Sequence, residues 1–219
     1  MPDRDASRRR RAIFAALALL SLFSIALVVA RYLYSREPLF GGLIWNLFLA
    51  WIPFGLAIIV YDRHRAGARM ATLLPFGALW LLFLPNAPYI VTDFKHLEET
   101  GGAPLWFDVV VIAAPAWTGM LLGFLSLYLV QAVVRRLAGR AVGWMVAIGA
   151  LGLASFGVYL GRVLRWNSWD VLTDPSLLAQ LDVVLVDPRA IAMTILLSGF
   201  LTLSYLVLYA FMRLDLQDR

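Results

Sequence analysis

Long apolar runs constrain this chain more than any other feature of its sequence. Six stretches are each long enough to cross a hydrocarbon core of about 30 Å at about 1.5 Å per residue. They are residues 12–30, 39–60, 70–89, 107–130, 141–161 and 190–212. The chain is 62% hydrophobic and 15% charged, whereas soluble domains are near half apolar and a quarter charged. The pattern predicts an all-α membrane protein, a single domain of six transmembrane helices over residues 1–219.

The first apolar run follows four arginines, residues 8–11, and therefore resembles a signal peptide. The run from 12 to 30 is longer than the usual signal core of about 7–15 residues. We interpret it as an uncleaved span. Cleavage before Arg31, after the sequence "VVA", is the alternative.

The distribution of basic residues predicts the orientation of the spans. Of the nineteen Lys and Arg residues, thirteen lie at the termini and in the second and fourth connections, and six lie in the other connections. Cytoplasmic connections are enriched in Lys and Arg. We therefore expect both termini in the cytoplasm. The net charge of +5 follows from this topology, and no nucleic-acid partner is predicted.

The first stretch that contains candidate functional residues is "LPNAPYIVTDFKHL", residues 84–97, at the outer end of the third span. Pro85 and Pro88 lack a backbone donor, and each disfavours helix at the residue before it. The helix is expected to break here. Asn86 stands between the two prolines, and its amide can pair with freed backbone groups or with a ligand.

Beyond this break, Thr92 or Asp93 is expected to cap a short helix. Asp93 and His96 are three residues apart and therefore share a helical face. This pair is the candidate for general acid–base catalysis. The same two residues with Asp170 are weak candidates for a metal site.

The second stretch is "GRVLRWNSWD", residues 161–170, at the outer end of the fifth span. Arg162 and Arg165 face the same way if the helix continues. Two guanidinium groups on one face are typical of an anion or lipid-headgroup site. The alternative is a salt bridge to Asp93 or Asp170 that pins the fifth span to the third.

The other polar and aromatic residues of these stretches complete a candidate ligand site. Trp166 and Trp169 are expected to supply apolar walls, although tryptophans at this level also form interfacial belts. Asn86, Asn167 and Asp170 are expected to orient the ligand.

Two further patterns bear on packing and mechanism. One face of the fifth span carries small residues, which allow close helix approach in lipid: Ala147, Ala150, Ala154, Gly157 and Gly161. Asn46 and Ser155 are the more polar groups predicted at mid-span, and a classical ion relay needs charges there. The chain has no cysteine, so disulfides, thiolate zinc sites and cysteine nucleophiles are excluded, and no cofactor motif is present.

Together the two stretches resemble the signature of a family of bacterial membrane proteins, the domain-of-unknown-function 1361 family. The matching segments are "FLPNAPY" at 83–89, "TD" at 92–93, "HL" at 96–97 and "GRVLRWNSWD" at 161–170. The resemblance implies a multi-pass protein of the bacterial inner membrane whose activity the family leaves open. It favours one shared site made of Asn86, Asp93, His96, Arg162, Arg165, Asn167 and Asp170.

The leading functional hypothesis is a membrane protein that binds or transports an anionic or lipid-like ligand at its outer mouth. The second is a membrane-embedded enzyme that acts on a lipid-linked substrate through Asp93 and His96. The third is a structural subunit that associates with a membrane-protein partner or with further copies of itself.

Overall fold

The computed structural model describes residues 2–99, 102–174, 176–177 and 184–213. The regular structure of these residues is helical, which confirms the all-α class. The elements are α1 (Pro2–Ser35), α2 (Gly41–Arg65), α3 (Met70–Phe83), α4 (Asn86–Tyr89), a 3₁₀ segment (Ile90–Glu99), α5 (Leu105–Val163), α6 (Asp170–Thr173) and α7 (Pro188–Arg213).

Among the described residues, five helical segments are long and apolar enough to cross a membrane, and they indicate a membrane protein. They are Ser7–Ser35, Gly41–Arg65, Met70–Leu97, Leu105–Val163 and Pro188–Arg213. The prediction of six such helices is therefore wrong. The difference arises because the predicted spans 107–130 and 141–161 belong to one continuous helical segment, α5.

Helix α5 turns back on itself at Gly139. A straight helix of 59 residues would be about 90 Å long, far more than a hydrocarbon core. Gly139 has a non-helical backbone with φ 88° and ψ 174°, a conformation that favours glycine. A Cβ atom at Gly143 would lie 2.2 Å from Cγ of Arg135, although these residues would be about 12 Å apart along a straight helix. We call residues 105–138 α5a and residues 140–163 α5b.

The small-residue face of α5b packs closely against its neighbours, as predicted. Its three alanines are buried. A Cβ atom at Gly157 would lie 2.5 Å from Cγ of Pro85, and one at Gly161 would lie 3.1 Å from Cε2 of Tyr89. The glycines of α5b therefore permit the approach of the segment that contains the first sequence motif.

The junction between α3 and α4 is a helical break without an extended residue. Leu84 has φ −54° and ψ −38°, and Pro85 has φ −57° and ψ −28°. The prediction that Leu84 leaves the helical region is wrong. Pro85 immediately precedes the first turn of α4, where a missing backbone donor costs little.

The helices alternate in direction, so the bundle has two distinct ends. We call one the basic end, because it contains the start of α1 and the ends of α2 and α7. There Arg10 pairs with Asp62 at 3.0 and 2.7 Å, and Arg135 donates to the Tyr209 hydroxyl at 2.5 Å. We call the opposite end the motif end, because both sequence motifs lie there.

Candidate functional site

The two sequence motifs meet in a buried ion pair at the motif end. Arg162, in the last turn of α5b, pairs with Asp93 of the 3₁₀ segment, and its Nε donates to the Thr92 hydroxyl at 2.6 Å. The guanidinium carbon also lies 4.4 Å from the centre of the Tyr89 ring. The side chains of Arg162 and Asp93 are only 13% and 7% exposed. The alternative in which an arginine pins the fifth span to the third is confirmed.

Asp93 is the centre of this cluster, because its other contacts reach a third helix. Nδ2 of Asn46 in α2 donates to its second carboxylate oxygen at 3.1 Å. Nε2 of His96 lies 3.8 Å from the first, and the His96 side chain is 31% exposed. The prediction that Asp93 and His96 share a face is confirmed. The His96 side chain is the more exposed of the two.

Asn86 also joins the two motifs. Its Nδ2 donates to the Phe83 carbonyl and to the Ser168 hydroxyl, both at 3.0 Å. The Ala87 amide bonds to the Leu84 carbonyl at 3.1 Å, so the break between α3 and α4 leaves the Phe83 carbonyl to be paired elsewhere. Asn86 thus pairs the carbonyl that the helical break leaves free, and it also holds Ser168 of the second motif next to the break.

The predicted cap of the short helix is absent. The 3₁₀ segment begins at Ile90, before both candidate capping residues. The Thr92 hydroxyl instead donates back to the Tyr89 carbonyl at 2.6 Å. Asp93 is occupied by its charged and amide partners, so the local signal for a cap was overridden by tertiary contacts.

Arg165 does not share a face with Arg162, and that prediction is wrong. Helix α5 ends at Val163, and Arg165 has a left-handed backbone with φ 60°. The Trp166 amide reaches back to the Leu160 carbonyl at 3.2 Å and closes the helix end. Arg165 is exposed, and it forms no ion pair within 4 Å with any carboxylate of the described residues.

The rest of the second motif forms a compact turn. The backbone amide and Nδ2 of Asn167 both donate to one carboxylate oxygen of Asp170, at 2.6 and 2.9 Å. Trp169 meets Trp45 of α2 edge-on, with ring centres 6.5 Å apart. Trp166 lies elsewhere, in a crevice beside α3, so the two tryptophans are not walls of the same pocket.

We call this crevice, which lies between α3 and α5b, the motif crevice. Its volume is about 380 Å³. Its motif end is formed by Trp166, Asn167 and Ser168, and its other walls are apolar. Leu153 in one wall is 56% exposed, so the crevice is open to its surroundings at that wall. An apolar groove that ends in a polar turn matches the two parts of an amphiphile.

A second buried ion pair at the motif end was missed from the sequence. Arg31 at the end of α1 pairs with Asp108 at the start of α5a, and the side chains are 1% and 0% exposed. Arg31 also contacts the Ser35 hydroxyl and lies 5.6 Å from the Phe40 ring centre. The available signal was Asp108 itself, an acid inside a predicted span at the same level as Arg31.

The described residues do not assemble the weak metal candidates. Asp170 bonds to Asn167, away from Asp93 and His96. Within the part of the chain that the structure describes, no three His, Cys, Asp or Glu side chains form a group suited to a metal ion.

These features define a class: a helical membrane protein whose two motifs are joined by buried polar contacts at one end of the bundle. The chain belongs to the family described as "Protein of unknown function (DUF1361)", whose model matches residues 45–204. This confirms the family inferred from the motifs, and the matched region includes both of them. Comparison with curated proteins gives no match, and neither does comparison with solved structures.

Proposed function

We propose that this protein crosses the bacterial inner membrane six times, with both termini in the cytoplasm, and binds an anionic, lipid-like ligand at its motif end. The reversal at Gly139 supports six crossings, because α5a and α5b are each long enough to span a bilayer. The excess of Lys and Arg at the termini and in the second and fourth connections supports the cytoplasmic assignment of the basic end.

The observation that carries the binding proposal is the motif crevice with its polar end. The apolar part of a ligand lies between α3 and α5b, and its charged group lies at the turn of the second motif. Arg165 is the guanidinium available to this group, since it is exposed and adjacent in sequence to Trp166. Guanidinium groups bind phosphates and carboxylates through paired N–H donors.

In this proposal Arg162 has a different role from the one that its spacing indicated. It is committed to Asp93 and Thr92, so it positions the two motifs instead of binding the anion. Asn86 does the same through Ser168. Asn167, Asp170 and Trp166 shape the polar end of the crevice.

Fluorescence quenching of Trp166 tests the proposal. The full chain is placed in phosphatidylcholine nanodiscs with increasing amounts of brominated phosphatidylglycerol or brominated phosphatidylcholine. The signal of Trp166 is the difference between the wild type and Trp166→Phe. We expect the anionic lipid to quench it at a lower mole fraction than the zwitterionic lipid. Arg165→Gln should weaken this preference about fivefold, since one basic residue near a membrane surface contributes about 1 kcal/mol.

Arg36→Gln is the matched control. Arg36 is also exposed and also has a left-handed backbone, with φ 61°, but it follows α1, and neither of its neighbours in sequence lines the motif crevice. The preference should persist in this variant. Equal quenching of Trp166 by both lipids in the wild type would show ordinary lipid contact and contradict the proposal.

A second candidate function is an enzyme that hydrolyses a lipid-linked substrate, with His96 as general base oriented by Asp93. The 3.8 Å contact between the two groups and the partial exposure of His96 favour it. Its test is turnover of a polyprenyl diphosphate, followed by mass spectrometry of the products. His96→Gln should abolish turnover while the unfolding temperature stays unchanged. Undiminished turnover in this variant would eliminate the candidate.

A further inference from the structure

A second cavity lies at the basic end, among the start of α1, the end of α2, α5a and the end of α7. Its volume is about 530 Å³, within the usual range of ligand pockets. Its floor is apolar: the rings of Phe14 and Phe54 lie 5.4 Å apart, and Leu125 and Leu129 of α5a complete it. We call it the basic cavity.

The rim of the basic cavity carries excess positive charge. Arg9, Arg10 and Arg65 line it together with one acid, Asp62. Arg10 and Asp62 pair with each other, which leaves the charges of Arg9 and Arg65 without a carboxylate on the rim. Both side chains are exposed, and the Arg65 guanidinium carbon lies 6.0 Å from the Tyr61 ring centre.

Orientation alone does not require this convergence. Basic residues that determine topology need only lie on the correct side of the membrane. Arg136 and Arg140 lie at the same end of the bundle, are exposed, and line no part of the basic cavity. The arrangement of Arg9 and Arg65 around an apolar floor is therefore a separate property of the fold.

We propose that the basic cavity binds an anionic phospholipid from the leaflet at that end. The lipid phosphate lies between Arg9 and Arg65, and an acyl chain covers Phe14 and Phe54. Basic pockets between transmembrane helices recognise anionic headgroups in this way. Arg10 can join the phosphate at little cost, because its pair with Asp62 is about half exposed, at 51% and 43%, and such pairs contribute little.

Native mass spectrometry of the full chain with added phosphatidylglycerol or phosphatidylcholine tests this proposal. We expect saturable retention of phosphatidylglycerol and weaker retention of phosphatidylcholine. Arg9→Gln combined with Arg65→Gln should weaken retention of the anionic lipid about 30-fold, from two basic residues. Arg136→Gln combined with Arg140→Gln removes the same charge from the same end and should change retention less than about twofold.

Three results would overturn the proposal. If both double variants weaken retention equally, the attraction is general to the charged surface. If the wild type retains both lipids equally, the cavity is only an apolar groove. If inorganic phosphate at the same concentration as the lipid displaces it, the apolar floor does not contribute to lipid binding.

A size change tests the floor without altering charge. Leu129→Trp fills the basic cavity and should abolish selective retention of phosphatidylglycerol. Leu196→Trp, at a position that is 75% exposed on α7, is the control and should retain it. All of these retention measurements are made in the Arg165→Gln background, so that the anion site proposed for the motif crevice does not contribute to them. Circular dichroism verifies folding of each variant, and selective retention in folded Leu129→Trp would contradict the proposed position of the acyl chain.

Discussion

The two ends of the bundle use the same pair of chemical groups, guanidinium and carboxylate, in opposite environments. At the motif end, Arg31 and Asp108 are 1% and 0% exposed, and Arg162 with Asp93 is nearly as dry. At the basic end, Arg10 and Asp62 are about half exposed. Buried pairs cannot separate without leaving a charge uncompensated, whereas exposed pairs are exchanged readily with water or ligands.

This difference in the exposure of the ion pairs indicates that the two ends have different roles. At the motif end, buried polar contacts join α1 to α5a and join α2 and the 3₁₀ segment to α5b. At the basic end Arg9 and Arg65 are exposed, which suits recognition of an anionic headgroup. Arg162 and Asn86, which the sequence indicated as ligand-binding residues, therefore hold the two motifs together.

The largest expected effect on stability comes from breaking the most deeply buried ion pair, Arg31 with Asp108. Arg31→Met leaves the Asp108 carboxylate buried without a counter-charge and should lower the free energy of unfolding by about 3–5 kcal/mol. Unfolding in mixed detergent micelles, followed by circular dichroism, measures it. The double variant with Asp108→Leu should recover most of the loss. If the single variant costs less than about 1 kcal/mol, the two ends do not differ as described.

A smaller effect is expected from the close contact between the motifs. Gly157→Ala places a Cβ atom 2.5 Å from Cγ of Pro85, and overpacking of this kind costs about 1–3 kcal/mol. Gly149→Ala is the control, because nothing lies within 4 Å of a Cβ atom there, and replacing glycine inside a helix is stabilising. Equal unfolding temperatures of the two variants would contradict a tight contact between α5b and Pro85.

A still smaller effect is expected at the basic end. Arg10→Gln removes a half-exposed pair with Asp62 and should change the free energy of unfolding by less than about 1 kcal/mol. The change should shrink further in high salt, because exposed charges are screened. A loss as large as that of Arg31→Met would remove the contrast between the two ends.

The smallest effect concerns pH at the rim of the motif end. The Tyr159 hydroxyl donates to Asp187 at 2.5 Å. This bond lowers the pKa of the Asp187 carboxyl below its ordinary value of 3.8, and the bond from the Arg189 amide contributes a smaller lowering. A lowered carboxyl pKa stabilises the fold above the unfolded pKa, and this stabilisation is lost as pH falls through the folded pKa. Unfolding temperatures of the wild type and Tyr159→Phe should therefore differ near neutral pH and converge below about pH 4. A constant difference would assign the effect to packing.

Several features of the fold were predictable because they depend on local composition. Long apolar runs identified the helical membrane class, and small residues at helical spacing identified the seam of α5b, since close approach depends only on side-chain size. The contact between the two motifs was anticipated as one of two alternatives. The number of separate helices was not predicted, because α5 continues on both sides of a single glycine.

The details of the site depended on where helices end and on which helices are neighbours. Arg165 left the face of Arg162 because α5 stops at Val163 and the chain turns through a left-handed residue. Asn46 was interpreted as a mid-span group, yet it bonds to Asp93 across α2 and the 3₁₀ segment. Neither outcome is encoded by the spacing of residues within one segment.

The sequence by itself determined that this chain is a helical membrane protein of its family, because the cost of placing polar backbone in lipid leaves few other options for such apolar runs. Only the tertiary structure decided which of its charges are locked and which are available. Burial depends on neighbours that are distant in sequence: Asp108 is 77 residues from Arg31 and Asp93 is 69 residues from Arg162. The same side chains would be solvated, exchangeable ions if these helices were not packed together.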